Sequence, residues 1–345
     1  MRQLYLKSKQ VVGLIACKLT TILTLAVLTM MLLWMPSVHA NDVDVAGYPA
    51  YVEQLKAEAL EHGISASAIE RAFEDVRFYE RAVSADRNQP EFTITLDTYL
   101  PRAVPDWKVQ QGIRKYQEHK ELLDRIGAEY GVQPRFIVAL WGIETNYGGY
   151  TGNFRVISAL ATLAYEGRRE EFFKRQLMQA LEIIDAGHIE PEQMRGSWAG
   201  AMGQTQFMPS SFLAYAVDGD GDGKIDIWNS YADVFSSAAN YLASVGWDES
   251  KTWGRQVRLP ENFATDLVGL GTKKQLSEWQ ELGIRRFDGS DLPSRDIPAS
   301  VIIPDGVDGR AYLAYHNWDV LMRWNRSNYF VVAVGHLADR IQMGR

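Results

Sequence analysis

The sequence predicts a mainly α fold with a small β-rich insertion late in the chain. Three observations carry this. Apolar residues recur at helical spacing over most of the chain from residue 48 to about 250. Residues 255–304 change character, with "QVRLP", "GIRRFDG" and "ASVIIPDG" forming short β-like runs separated by Pro and Gly. The last segment, "SNYFVVAVGHLADRIQ", returns to a helical pattern. With 345 residues, 46% hydrophobic and 23% charged, the chain has ordinary globular composition and enough length for two or more subdomains.

The first 40 residues read as a leader. Arg2, Lys7, Lys9 and Lys18 give a basic start, residues 19–36 carry no charge, and Val38 and Ala40 place small residues before Asn41. That pattern predicts a signal peptide cleaved after Ala40, and so an exported, periplasmic protein. An uncleaved membrane anchor is an alternative, since the apolar run is long enough. A lipoprotein at Cys17, from Leu14–Cys17, is another. Cys17 is the only cysteine, so the exported part forms no disulfide. Without the four leader cations, 32 Lys and Arg face 43 Asp and Glu, a net charge of −11. Binding nucleic acid through backbone charge is thereby disfavoured.

Past the leader, residues 41–106 form an N-terminal helical region and a connection. Val52, Leu55, Ala59 and Leu60 share a stripe, Gly63 stops the first helix and Ser65 opens the next. Residues 83–106, with Pro90, Pro101 and Pro105, are expected to be a long extended connection. Residues 107–254 make the main body. Trp107–Val132 is expected as one long helix stopped by Gly131. Pro134 starts the next at its first turn, where a missing N–H costs nothing. Helical patterns continue beyond residue 155, and Asp233–Trp247 is helical after an acidic loop. The β-rich insertion occupies 255–304, and 305–345 is expected as a helical return to the main body.

The acidic loop Asp218-Gly-Asp220-Gly-Asp222-Gly223-Lys224-Ile225 is the sharpest metal signal. Carboxylates at loop positions one, three and five, a Gly at six and a backbone carbonyl at seven form the EF-hand calcium pattern. Position twelve is Asn229, which cannot give a bidentate carboxylate, so Asp233 is the candidate last ligand. Structural Ca2+ held by Asp218, Asp220, Asp222, the Lys224 carbonyl and Asp233 is expected. A solvated acidic turn is the alternative.

Glu144 stands in "ALWGIETNYGGYTG", an ionisable group among apolar and aromatic residues near a helix C-terminus. An unpaired buried carboxylate is costly, so Glu144 either has a structural partner or is tuned to move a proton. Trp141, Phe207 and Met208 are candidates for its apolar wall. No Ser-His-Asp order, Walker loop or Rossmann glycine pattern appears, and His119, His188, His316 and His336 lack ligand-type spacing.

"IETNYG" (143–148), "GSWAGAMGQTQFMPSSF" (196–212), "DGDGDGKIDIW" with "SSAANYLASVGW" (236–247), and "WNRSNYFVVAVGHLAD" (324–339) occur in this order. Together they resemble the membrane-bound lytic murein transglycosylase B family, from about residue 48 to the end. The resemblance implies a lysozyme-like core with helical and β-rich additions. It implies cleavage of the β-1,4 bond between N-acetylmuramic acid and N-acetylglucosamine in peptidoglycan glycan strands, leaving a 1,6-anhydro ring. Glu144 matches the family's catalytic glutamate. Ser197 would bond substrate near the reacting centre. Gln206, Phe207 and Met208 would line the groove, with Tyr241 a further wall. Arg168 and Arg169 would meet glycan or peptide stems, and Asn325 would sit near the glutamate. The family's Asn-x-Ser-x-x-Tyr is altered here, with Phe330 at the Tyr position and Tyr329 beside it as the remaining candidate. No second carboxylate accompanies Glu144 in sequence, which points to substrate assistance by the sugar's N-acetyl group. A hydrolytic muramidase is the nearest alternative, and a calcium-dependent glycan-binding protein without catalysis is the alternative of another class.

Overall fold

The computed structural model describes residues 43–88, 94–295 and 297–344. The leader readings, including cleavage after Ala40 and the lipoprotein site at Cys17, lie outside them. The helices are α1 (Tyr48–Glu61), α2 (Ala66–Phe73), α3 (Glu80–Arg87), α4 (Leu96–Ala103), α5 (Asp106–Glu118), α6 (Lys120–Tyr130) and α7 (Pro134–Thr145). After them come α8 (Val156–Glu166), α9 (Glu170–Asp185), α10 (Pro209–Tyr215), α11 (Tyr231–Ser244), α12 (Leu276–Glu281), α13 (His316–Trp324) and α14 (Asn328–Met343).

Helix α7 is the axis of the core. Its sequence is apolar nearly all round, as expected of a helix surrounded by others. Residues 136–142 are all buried, and α5, α6, α11 and α14 pack around it. The local signals near it act as anticipated. Ser65 caps α2 by accepting from the Ala68 amide at 3.2 Å. Gly131 ends α6 at φ 64°, and Pro134 opens α7.

Two expectations in this region are corrected. The described residues of 83–106 are mostly helical and not extended, since the end of α3 and all of α4 lie there. Pro105 is the N-cap of α5, and Pro101 lies inside α4, where it removes the amide that would bond the Asp97 carbonyl. The expected helix 107–132 is two helices, parted at His119 (φ −110°, ψ 20°). The His119 ring packs 4.5 Å from Tyr231 and 5.5 Å from Phe235. No glycine or proline marks this tertiary break.

Strands β1 (Phe154–Arg155) and β2 (Arg195–Gly196) form a short antiparallel pair. The five-stranded sheet contains β3 (Gly254–Arg258), β4 (Lys274–Gln275), β5 (Arg285–Arg286), β6 (Pro298–Ile302) and β7 (Ala311–Ala314), in the order β4-β6-β7-β3-β5. It carries its own small core of Val257, Leu276, Trp279, Ile284, Val301 and Leu313. β7 falls within 305–345, which was expected to be helical. The whole of β7 is buried, so "AYLA" lacks the alternation that marks a half-exposed strand. Trp253 stacks on Trp318 at 5.5 Å and donates to Asp339 at 3.0 Å, joining the sheet's entry to α13 and α14.

Beneath this junction His336 lies 3.3 Å from the Tyr312 hydroxyl. Burial, with Arg310 and Arg340 adding, pushes its pKa down from 6.5 to about 4. The unfolded chain therefore takes up a proton as pH falls below 6.5 while the folded chain does not, until about 4. Acidification across that window should cost up to about 3 kcal/mol. Denaturant titrations of wild type and His336→Gln between pH 7 and 4 should show a shallower loss in the variant.

Candidate active site

Glu144 sits one residue from the end of α7. The chain then takes a left-handed path through Asn146 (φ 51°), Tyr147 (φ 61°) and Gly148 (φ 79°). Two consecutive non-glycine residues in this region are unfavourable and persist only when surroundings fix them. The fixing groups are clear. The Tyr147 amide bonds the Trp141 carbonyl at 3.2 Å, and its hydroxyl donates to the Lys108 carbonyl at 2.9 Å. The Gly148 amide donates to Thr145 Oγ1 at 3.0 Å. Gly142 lacks the side chain that would strike the Tyr147 ring.

Gln204 locks this helix end from the facing loop. Its Oε1 accepts from Trp141 Nε1 at 2.7 Å, and its Nε2 donates to the Trp228 carbonyl at 2.8 Å. Its own carbonyl accepts from Thr145 Oγ1 at 3.1 Å. A side chain at Gly148 would collide with Gln204. Sequence reasoning missed Gln204, because a glutamine in a Gly-rich turn looks like a solvated loop residue.

The Glu144 carboxyl has one side-chain partner among the described residues: Trp324 Nε1–H donates to Oε1 at 2.7 Å. The Trp324 ring is held by Phe207 at 5.3 Å and Tyr241 at 4.7 Å. Tyr241 also donates its hydroxyl to the Arg323 carbonyl at 2.7 Å. Glu144 keeps some exposed surface as a residue, yet burial of its carboxyl pushes the pKa from 4.5 to about 7, opposed by the Trp324 hydrogen bond.

Of the residues expected at the site, Phe207 and Tyr241 meet Glu144 through Trp324. Ser197, Gln206 and Phe207 share one folded loop, tied by bridges from Gly196 to Met202 and from Met202 to Phe207. Ser197 Oγ accepts from the Ala201 amide at 3.0 Å and the Ala199 amide at 3.3 Å. Gln206, itself left-handed at φ 51°, donates to the carbonyls of Thr151 at 3.0 Å and Gly203 at 2.9 Å. It thus fastens this loop to the exit of α7. Met208 is half-buried at the N-cap of α10.

Others are placed elsewhere. Arg168 and Arg169 both pair with Asp86, which is only 2% exposed. Their guanidinium groups help neutralise a buried carboxylate on α3, while both side chains stay nearly half exposed. Asn325 is exposed at the C-cap of α13, and its neighbour Trp324 is the glutamate's partner. The Tyr329 hydroxyl bonds Asp305 and the Ile94 carbonyl, so it braces the approach to α4. Trp141 turns into a cluster with Tyr147, Tyr231 and Phe235 instead of walling Glu144.

In the acidic loop, carboxylate oxygens of Asp218, Asp220 and Asp222 lie within 4.8 Å of one another. Asp233 does not join them. It is buried, and its two oxygens accept from the amides of Gly219 at 2.8 Å and Asp226 at 2.6 Å, stapling the loop's ends.

A lone carboxyl held near neutrality beside a neutral donor, on a rigid helix end, is able to donate and recover a proton. Residues 47–339 match the family described as the transglycosylase SLT domain. The chain is 32% identical over 260 residues to membrane-bound lytic murein transglycosylase B of Escherichia coli (strain K12), covering 72% of this chain and 67% of the relative. Among solved structures it resembles SltB3 of Pseudomonas aeruginosa in complex with NAG-anhNAM-pentapeptide. That match has 44% identity and a TM-score of 0.82, and covers 86% of this chain and 79% of the other. It also resembles the Escherichia coli lytic transglycosylase Slt35 in complex with calcium, with 28% identity and a TM-score of 0.73, covering 86% and 93% of the two chains. The chain belongs to the SLT-domain lytic transglycosylases, in the murein transglycosylase B branch, and has their lysozyme-like fold.

Proposed function

We propose that the protein cleaves the β-1,4 bond between N-acetylmuramic acid and N-acetylglucosamine in peptidoglycan and leaves a 1,6-anhydromuramic end. The observation that carries this is the Glu144 carboxyl, raised to about 7 by burial, with no charged group entering the balance. Such a carboxyl gives up a proton and takes one back at similar pH.

In the first step Glu144 donates its proton to the glycosidic oxygen as the bond to C1 breaks. The N-acetyl carbonyl oxygen of the same sugar attacks C1, supplying the electrons that a second carboxylate supplies in other glycosidases. In the second step the Glu144 carboxylate removes the proton of the muramic 6-hydroxyl. Oxygen 6 then bonds C1 and displaces the N-acetyl oxygen, and Glu144 ends protonated. No water is consumed. Ser197 Oγ accepts two amides, which leaves its O–H to donate outward to a sugar oxygen. Phe207 and Tyr241 support the apolar wall, with Met208 at its edge.

Mass spectrometry of muropeptides released from purified peptidoglycan tests the reading. Anhydro ends are expected, whereas reducing ends would make the enzyme a hydrolase. The described residues contain no helix long and apolar enough to cross a membrane, and export through the leader to the periplasm completes this reading.

Calcium in the acidic loop belongs to the same proposal. Three clustered carboxylates of hard oxygen character, with the Lys224 carbonyl following, fit the ion. When bound, the ion would relieve repulsion among the carboxylates. Its effect would reach the site because Gln204 grips the loop's exit, through the Ile227 carbonyl at 2.8 Å and the Trp228 carbonyl. Saturating Ca2+ should raise the melting temperature of chelator-treated protein by about 5 °C. Asp220→Ala should abolish that rise.

A further inference from the structure

We infer that Trp324 is the positioning residue that decides which oxygen of Glu144 carries the catalytic proton: its indole N–H occupies Oε1, so the proton resides on Oε2. This rests on the reading of Glu144 as the acid.

Indole nitrogen is a donor only. A proton on Oε1 would turn it into a hydroxyl oxygen, a weaker acceptor for the Trp324 N–H at 2.7 Å than a carbonyl oxygen. A proton on Oε2 leaves Oε1 free to accept. One oxygen is thus kept as acceptor and the other as acid, and the direction of proton delivery is set before substrate arrives.

The indole is well fixed for this task. Phe207 and Tyr241 bracket its ring. Tyr241 packs in turn on Tyr215 at 4.5 Å, and its hydroxyl pins the carbonyl of Arg323, the residue before Trp324. A neutral donor also suits the double duty. An arginine or lysine at this place would hold the carboxyl ionised at neutral pH. The indole instead leaves the acid protonated near neutrality, and its hydrogen bond strengthens once the proton has gone.

Of the two rings against the indole, Phe207 does not titrate and Tyr241 is pushed up to about 12 by burial. Arg323 offers its carbonyl to Tyr241, and its charge opposes, without outweighing, the upward push that burial gives Tyr241.

The test replaces Trp324 with benzothienylalanine, which keeps the ring's shape but has sulfur in place of N–H. Trp324→Phe serves as a genetically encoded companion. Ionisation of Glu144 is read directly by carbon NMR of labelled glutamate, beside the pH profile of kcat/KM on purified peptidoglycan. In the benzothienyl protein the titration and the alkaline limb should both move up by about one pH unit. Turnover should fall roughly tenfold, with KM within about twofold and an unchanged melting temperature. Trp324→Phe should show the same upward titration. A titration that superimposes on wild type would make Trp324 a packing residue and overturn the inference. A titration that moves while the activity profile stays fixed would remove Glu144 from the chemistry, which is a failure of the proposed function instead.

Discussion

Glu144→Gln should lower turnover on peptidoglycan by about a thousandfold or more, since in the proposed mechanism it removes the group that donates and recovers the proton. The amide is nearly isosteric and its carbonyl can still accept from Trp324, so the fold should remain. The pH dependence has a definite sign. The acid must be protonated at the outset, so wild-type kcat/KM should fall about tenfold per unit as pH rises above about 7. Stability should move the other way in the variant. An unfolded glutamate ionises near 4.5 while the folded one keeps its proton to about 7, so the folded wild type loses stability across that interval. Gln escapes this loss, and at pH 8 Glu144→Gln should be more stable by up to about 3 kcal/mol. Activity assays and denaturant titrations at pH 5 and pH 8 check both halves. A variant that is inactive and less stable at pH 8 would mean that Glu144 is held by a structural partner.

The second large effect is expected at Gly152, just after the left-handed exit of α7. Its φ is 98°, and a Cβ there would overlap the backbone of Gly196 and Ser197. Gly152→Ala combines an unfavourable backbone angle with an overlap that no side-chain rotation relieves. The cost should be about 3–4 kcal/mol. Any relaxation must push the loop that carries Ser197, Gln206 and Phe207, so activity should fall even at temperatures where the variant is folded. Gly187→Ala is the control: its φ of 78° is also left-handed, but open space surrounds it. It should lose only the backbone part, about 1 kcal/mol.

What could be read from the sequence follows a physical division. Features set by a few adjacent residues were legible: the Ser65 cap, the Gly131 stop, the Pro134 start and Glu144 near a helix end. The clustering of Asp218, Asp220 and Asp222 is likewise local. Features set by distant partners were not. His119 parts two helices because Tyr231 and Phe235 draw its ring in. Arg168 and Arg169 look like a free basic pair until Asp86, more than eighty residues earlier, is seen between them. Trp324 was visible only as the first letter of a motif, and its bond to Glu144 spans 180 residues. Gln204 was hidden because its partners come from α7 and from the acidic loop.

The register of β3 on β7 has a consequence for how such a chain arises and can be altered. Gly254 and Ala314, the first residue of one strand and the last of the other, are direct antiparallel partners, and such partners lie only about 5 Å apart. The fifty-nine residues between them leave the helical body and rejoin it at nearly the same point, and they bring a small core of their own. A segment of that kind is a cassette. It can lengthen, shrink or be exchanged between related chains without re-routing the helices that hold Glu144. Exchange must keep Trp253 on Trp318 at the seam, and the bonds of Asp305 to Tyr329 and of Tyr312 to His336. Diversity among relatives should therefore accumulate inside the cassette while the seam stays constant.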